Sequence, residues 1–226
     1  MMRKLTALGL VAGMLSVPAF SQTKIEFKEF DLDNGLHVIM HQDNTTPIVV
    51  TSVLYHVGSK NEQPDRTGFA HFFEHLMFEG TENIDRGEYM NIIQAHGGTL
   101  NAYTSNDITY YYESLPSNEL ELALYMESER MLHSKVDMTG VETQREVVKE
   151  EKRQSYDNRP YGSILIETLK RSYTEHPYRW APIGSLDDLN AASIEEFQQF
   201  YKDFYVPNNA TLTIAGDIDY KTTEEW

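Results

Sequence analysis

The chain has 226 residues, with 35 Asp and Glu against 19 Lys and Arg, a formal charge of −16 and no cysteine. That length holds one large domain or two small ones and can bury a proper core. The missing thiol excludes disulfides, thiolate metal sites and a lipid-modified N-terminal cysteine, so any metal must sit on His and carboxylate; the negative balance argues against nucleic acid and anionic membrane as partners.

The opening MMRKLTALGLVAGMLSVPAFSQ carries Arg3 and Lys4, an apolar run over residues 5–17, and small residues at Ala19 and Ser21. This is the grammar of a secretory signal peptide, and the run is shorter than the roughly 20 residues of a membrane-spanning helix. Residues 1–21 are therefore expected to be removed on export, which takes two cations away and leaves 17 − 35 = −18. The mature chain is then exported, periplasmic or secreted, and has no membrane partner.

Residues 25–40 read as two short strands around Asp33-Asn34-Gly35, a hairpin signal, and residues 48–57 read as a third strand. A polar connection over 58–68 leads to residues 69–78, a helix with apolar side chains on every side and so a core helix. Residues 88–95 form another helix, closed by His96-Gly97-Gly98, before strands at 99–104 and 109–115 that turn at Ser105-Asn106-Asp107. Pro116-Ser117 opens a helix to His133. Thr139 and Glu142 make a capping box for a helix reaching Tyr156, where Asn158-Arg159-Pro160 interrupts it; residues 161–173 resume helically. Ser193 and Glu196 form a second capping box on a helix to Tyr205, and Pro207-Asn208-Asn209 turns into a strand at 210–215. Hairpins mixed with long helices predict an α+β domain over 22–220, its helices packed on a largely antiparallel sheet. Residues 221–226 look like the start of a continuation, with a first helical turn at 222–226, so the chain is expected to be a piece of a longer protein.

The chemistry concentrates at His71-Phe72-Phe73-Glu74-His75. Two imidazoles at i and i+4 project from one side of a helix, and Glu74, three residues from His71, shares that side. Phe69, Phe72, Phe73, Leu76, Met77 and Phe78 surround them. Two His and a Glu in such apolar company would each cost kilocalories unless paired or metal-bound, and a zinc ion would satisfy all three. A catalytic zinc with two His ligands takes a third protein ligand and leaves one position to water; without Cys, a distant carboxylate is the natural candidate. The helix beginning near Gly140 supplies it. Val141, Gln144, Val147, Val148 and Glu151 fall on one side, whereas Thr143, Glu146, Glu150 and Gln154 fall on the other, so Glu151 points inward and Glu150 outward.

GFAHFFEHLMFEGT, GGTLNAYTSNDITYYYESLP and QREVVKEEKRQ closely resemble the N-terminal domain of the M16 metallopeptidases, the family of pitrilysin, insulin-degrading enzyme and the mitochondrial processing peptidase. The resemblance covers residues 25–220 and implies the M16 peptidase-like fold and a zinc-dependent endopeptidase acting on peptides or small unfolded proteins. It implies one Zn²⁺ per chain on His71, His75 and Glu151, the last spacing being 151 − 75 = 76, with Glu74 as the general base that takes the water proton and passes it to the leaving amine. Family members often carry a further glutamate behind the ligands, and this chain has Gln144 there. The resemblance also places an extended peptide substrate along Leu100, Asn101, Ala102, Tyr103 and Thr104, held by backbone pairing. Family enzymes need a second, similarly folded domain, in the same polypeptide or from a partner chain. This chain alone is then expected to bind zinc and cleave weakly or not at all.

Two other readings compete. A non-catalytic scaffold subunit of the same family would typically have a broken motif, whereas this motif is whole. A structural zinc domain would need a fourth protein ligand. His96 is the candidate, and its place beside Gly97-Gly98 suits a helix cap better.

Overall fold

In the computed structural model the described residues are 24–226, so the expected signal peptide lies outside them. Strands β1 (Lys28–Asp31) and β2 (His37–Gln42) form the expected hairpin, with Gly35 at φ 86° in the turn where a side chain would be strained. Strand β3 (Ile48–Tyr55) comes next in the chain but does not pair with β2. The late strand β6 (Ala210–Gly216) slots between them, parallel to β2 and antiparallel to β3. With β4 (Thr99–Thr104) and β5 (Thr109–Pro116) the order is β1-β2-β6-β3-β5-β4, which leaves β4 paired with β5 alone and open on its other edge. The sheet is thus antiparallel except for the β2–β6 pair, and the expected α+β class holds.

Alternation decides which face is covered. Val49, Thr51, Val53 and Tyr55 of β3 and Thr109, Tyr111, Glu113 and Leu115 of β5 are buried, and their neighbours are exposed or half-buried apart from Ser52, which is buried on the other face. On the buried face lie α1 (Phe69–Leu76), α2 (Glu88–Ala95) and α3 (Leu120–His133). Beyond them come α4 (Met138–Lys152), α5 (Ile164–Ser172), α6 (Leu186–Ala191), α7 (Ile194–Phe204) and the short terminal α8 (Tyr220–Glu225). The ring of Phe197 on α7 stacks on Phe69 at 4.6 Å and sits 4.8 Å from Phe72, so α1 is wedged against α7 by aromatic contacts. None of the described helices is long and apolar enough to cross a membrane.

Several boundaries differ from expectation. The Thr139–Glu142 capping box is not formed: Asp137 caps α4 two residues earlier, accepting from the Gly140 N–H at 2.7 Å, and Glu142 reaches toward Arg145 instead. Strand β5 runs to Pro116 and a 3-10 turn intervenes before Leu120, so Pro116-Ser117 does not open α3 directly. The α-helix of α4 stops at Lys152, and a wider π turn over Arg153–Asp157 completes the stretch. Val147, expected on the inner side of α4, is 43% exposed, while Arg145 is buried. Position 147 lies about 40° off one edge of the 141/144/148/151 stripe and Arg145 about 40° off the other, and the covered face of α4 is turned toward the Arg145 side. The Ser193–Glu196 box is present on α7 as expected.

A charged group lies inside the core. Arg130 of α3 is fully buried, its Nε donating to Glu127 at 3.1 Å, and its guanidinium sits 4.6 to 5.1 Å from the rings of Phe78, Tyr89 and Tyr111. Burial, and then the Glu127 charge, push the neighbouring Glu113 carboxyl well above its ordinary value. Arg130 therefore offsets Glu127 and holds three aromatic faces by cation–π attraction. Replacing it by Ala would strand that carboxylate. Arg130→Ala is expected to lower stability by about 3–5 kcal/mol, read by chemical denaturation; a loss below about 1 kcal/mol would mean that Glu127 is neutralised some other way.

Candidate metal centre

Helix α1 has eight residues, too short to hold its own shape in water. Its N-cap, Gly68, has φ 97° and no side chain to cap with. A Cβ there would come within 3.1 Å of the Ile183 carbonyl oxygen, so the position suits glycine twice over. The capping acceptor comes instead from Glu62, whose two oxygens take the N–H groups of Gly68 and Ala70 at 2.9 Å each. At mid-helix the Tyr111 hydroxyl donates to the Phe73 carbonyl at 3.1 Å. Just past the helix, buried Glu79 pairs with Arg86 and accepts from the side-chain amide of Gln144 on α4. Arg86 also reaches Asp137, the α4 cap, at 3.0 Å. The Gly140 N–H, and then Arg86, hold the Asp137 carboxyl below the usual range. One chain of polar contacts therefore sets the gap between α1 and the start of α4.

Across that gap the expected metal ligands meet. His71 Nε2 lies 3.4 Å from one oxygen of Glu151 and His75 Nε2 lies 3.2 Å from the other. The two imidazole centroids are 5.0 Å apart. Glu151 stands between two imidazoles that hold its carboxyl well below the usual carboxylate range. Glu150 faces away, exposed and paired with Arg153 at 2.8 Å, as the helical phase predicts. Among the described residues, His71, His75 and Glu151 form a group whose ligand atoms all lie within 4.8 Å of one another. His96 is not in it; its Nδ1 bonds the Ile92 carbonyl at 2.8 Å at the end of α2, the cap role its sequence suggested. His71, Glu74 and His75 are not sunk in the core as the apolar run implied; all three are half-buried. His71 is 12% exposed, His75 23% and Glu151 37%, because positions 71, 74 and 75 form the one side of α1 turned toward α4 and β4, while Phe69, Phe72, Phe73 and Leu76 take the core.

This donor set fits zinc. Four ligands at about 2.1 Å in a tetrahedron stand about 3.4 Å apart, the separation that His71 and His75 already keep from Glu151, and two imidazoles with one carboxylate leave a fourth position open. Glu74 lies on the same side of α1, its Oε2 accepting from the Thr104 hydroxyl at 2.6 Å. Gln144 does not touch the ligands; it acts on Glu79, and its side-chain oxygen is buried without a partner. Leu100–Thr104 lie on the free edge of the sheet, with Asn101 and Tyr103 exposed and Leu100, Ala102 and Thr104 half-buried. Sequence reasoning missed Glu62 and Glu79. A carboxylate six residues before the helix it caps leaves no local motif, and Glu79 reads as one more solvated acid until its partners on a distant helix are known.

A short helix offering His, His and Glu to a carboxylate on a second helix, beside a free sheet edge, defines the chain as a candidate metallopeptidase domain. The family model for insulinase, peptidase family M16, matches residues 37–178, and a model for the M16 inactive domain matches residues 191–226. The chain belongs to the M16 peptidase family. The zinc protease PqqE of Helicobacter pylori is 36% identical over 189 residues, covering 83% of this chain and 43% of that protein. The uncharacterized zinc protease YmxG of Bacillus subtilis is 27% identical over 202 residues, covering 88% of this chain and 49% of that protein. Among solved structures, a protease from Helicobacter pylori superposes with a TM-score of 0.86 at 34% identity over 89% of this chain and 49% of that one. The periplasmic protease PqqL from Escherichia coli superposes at 0.79 with 28% identity over 88% of this chain and 23% of that one. The chain thus spans half or less of the length of these relatives.

The Glu62 anchor carries two consequences. Glu62→Ala leaves two buried N–H groups of the α1 terminus without an acceptor and is expected to destabilise the fold by about 2–4 kcal/mol. Burial pushes the Glu62 carboxyl from 4.5 up to about 8, against the pull of its two N–H donors. In that window the folded chain keeps a proton that the unfolded chain releases, so stability is highest below the unfolded value of 4.5 and falls as pH rises toward 8. Denaturation midpoints of the parent should decline across the window relative to Glu62→Gln. A constant difference between the two would place the proton elsewhere.

Proposed function

We propose that this chain is the zinc-bearing half of an exported M16 endopeptidase that hydrolyses peptides or small unfolded proteins. The observation that carries the reading is the convergence of His71 and His75 Nε2 on the two Glu151 oxygens at 3.4 and 3.2 Å, from helices far apart in the chain. Zinc held there would act as a Lewis acid on the scissile carbonyl and acidify the attacking water. Glu74 takes the proton of that water and returns it to the leaving amine. The peptide pairs with the free edge of β4 over Leu100, Asn101, Ala102, Tyr103 and Thr104. In support, the Ala102 N–H is not spent on the β5 ladder; it donates to the side-chain oxygen of its neighbour Asn101 at 2.9 Å, a bond that an incoming carbonyl would replace.

A second M16-like half, in the same polypeptide or on a partner chain, completes the enclosure that excludes water from the reaction. The relatives' greater length supports this, as does the match of residues 191–226 to an M16 inactive domain. Export rests on the signal-like residues 1–21 and on the periplasmic description of the PqqL relative.

Elemental analysis of the purified chain tests the site. The parent and Glu150→Gln are expected to hold about one zinc each, and Glu151→Gln to lose it. A metal-free parent, or loss in Glu150→Gln alone, would overturn the ligand assignment. With the second half present, Glu74→Gln should keep its zinc and lose about 100-fold to 10,000-fold in peptide cleavage. Cleavage that survives this change would remove Glu74 from the role of base.

A further inference from the structure

The proposed reaction asks Glu74 to offer one oxygen to a water at a defined place, yet a glutamate side chain has three rotatable bonds and α1 restrains only its first atom. Thr104 supplies a restraint. Its hydroxyl donates to Glu74 Oε2 at 2.6 Å, across from the helix to the last residue of β4. Leu100 and Ala102, the other half-buried residues of that strand, present hydrocarbon toward the helices, and Thr104 alone of the three presents a donor.

The placement of Thr104 owes little to α1. It pairs with Thr109 of β5, whose hydroxyl is held by the Val57 carbonyl at 2.9 Å. The turn that follows is closed by Ser105 N–H to the Ile108 carbonyl at 2.8 Å and tied down by Asn106 to the Ser59 hydroxyl at 3.0 Å. Asp107 in the same turn accepts from Lys60 and from the Tyr178 hydroxyl, each at 2.7 Å. The donor is therefore fixed by the sheet and its loop, and Glu74 is held to it.

We propose that Thr104 is a positioning residue for Glu74: it engages Oε2, leaves Oε1 to take the water proton, and couples the carboxylate to the strand on which the peptide lies. This rests on the peptidase reading above and assigns Thr104 a part that an edge strand binding by its backbone alone would not need. A carboxylate held on one oxygen is preorganised for proton transfer, and loss of such supporting contacts typically costs 10-fold to 100-fold in activity.

The test uses the zinc-loaded protein with its second half present, carrying Thr104→Val, which keeps the β-branched shape without the donor, or Thr104→Ser, which restores the hydroxyl. Thr104→Val is expected to lower kcat by about 10-fold to 100-fold, with KM changed by less than about twofold and zinc content unaltered. Crystal structures should show the Glu74 carboxylate displaced in Thr104→Val and returned in Thr104→Ser, with kcat recovering in parallel. In a Glu74→Gln background Thr104→Val should have no further effect on residual turnover. The proposal is overturned if the carboxylate keeps its place in Thr104→Val with kcat unchanged, or if the loss is the same when Glu74 is already Gln. Should Thr104→Val fail to fold, Thr104→Ala carries the same comparisons. A zinc-loaded parent that cuts no peptide would sink the peptidase reading, while the crystallographic position of Glu74 in the variants would still decide the present one.

Discussion

Everything at the candidate metal centre depends on where one two-turn helix is held. An isolated helix of eight residues would not persist in water, so the orientation of α1, and with it of His71, Glu74 and His75, is imposed by its surroundings. Glu62 grips its first turn, the Tyr111 hydroxyl its middle, Glu79 and Arg86 the residues beyond its end, and Phe197 its apolar side. Three of these anchors are polar and directional. That matters because apolar packing alone tolerates small rotations, whereas ligand atoms that must stand about 3.4 Å apart do not.

The anchors also explain why the chain buries ionisable groups at all. Glu62 and Arg130 are costly to desolvate, and a better packed hydrocarbon would often be more stable. Each is tied to a part of the scaffold around α1. Arg130 lies against Tyr111, and Tyr111 bonds α1; Glu62 bonds α1 outright. Stability given up in the interior goes into fixing the register of a helix whose side bearing His71, Glu74 and His75 stays half-open.

How much of this could be read from the sequence follows from the range of each signal. The spacing of His71, Glu74 and His75, the phase that turns Glu151 inward and Glu150 outward, and the Ser193–Glu196 box are all local, and local periodicity records them. The inward placement of Val147 failed because periodicity gives an approximate direction and not which flank of the stripe the neighbouring helices cover, and here they cover the Arg145 flank. The Thr139–Glu142 box failed for a related reason: Asp137 is an equally good cap, and its bond to Arg86 from another part of the chain settles the competition. Glu62, Glu79 and the insertion of β6 between β2 and β3 leave no local trace: Glu62 caps across six to eight residues in no repeating motif, and Glu79 and β6 are decided by partners dozens of residues away.

That insertion keeps β6 itself away from either edge of the sheet. With β6 paired on both sides, β3 is bonded to β6 and β5, and among the described residues β1 and β4 remain as the edges. The β1 edge is a four-residue strand, the length at which proteins commonly leave an edge because it offers little to pair with. The β4 edge is six residues long and ends at Thr104, within hydrogen-bond reach of Glu74. The topology therefore leaves its longer free row of backbone donors and acceptors beside the helix that carries His71, Glu74 and His75. A peptide drawn to that edge by backbone pairing would need no further element to bring its carbonyls toward α1, because strand and helix are already joined through a single side-chain bond.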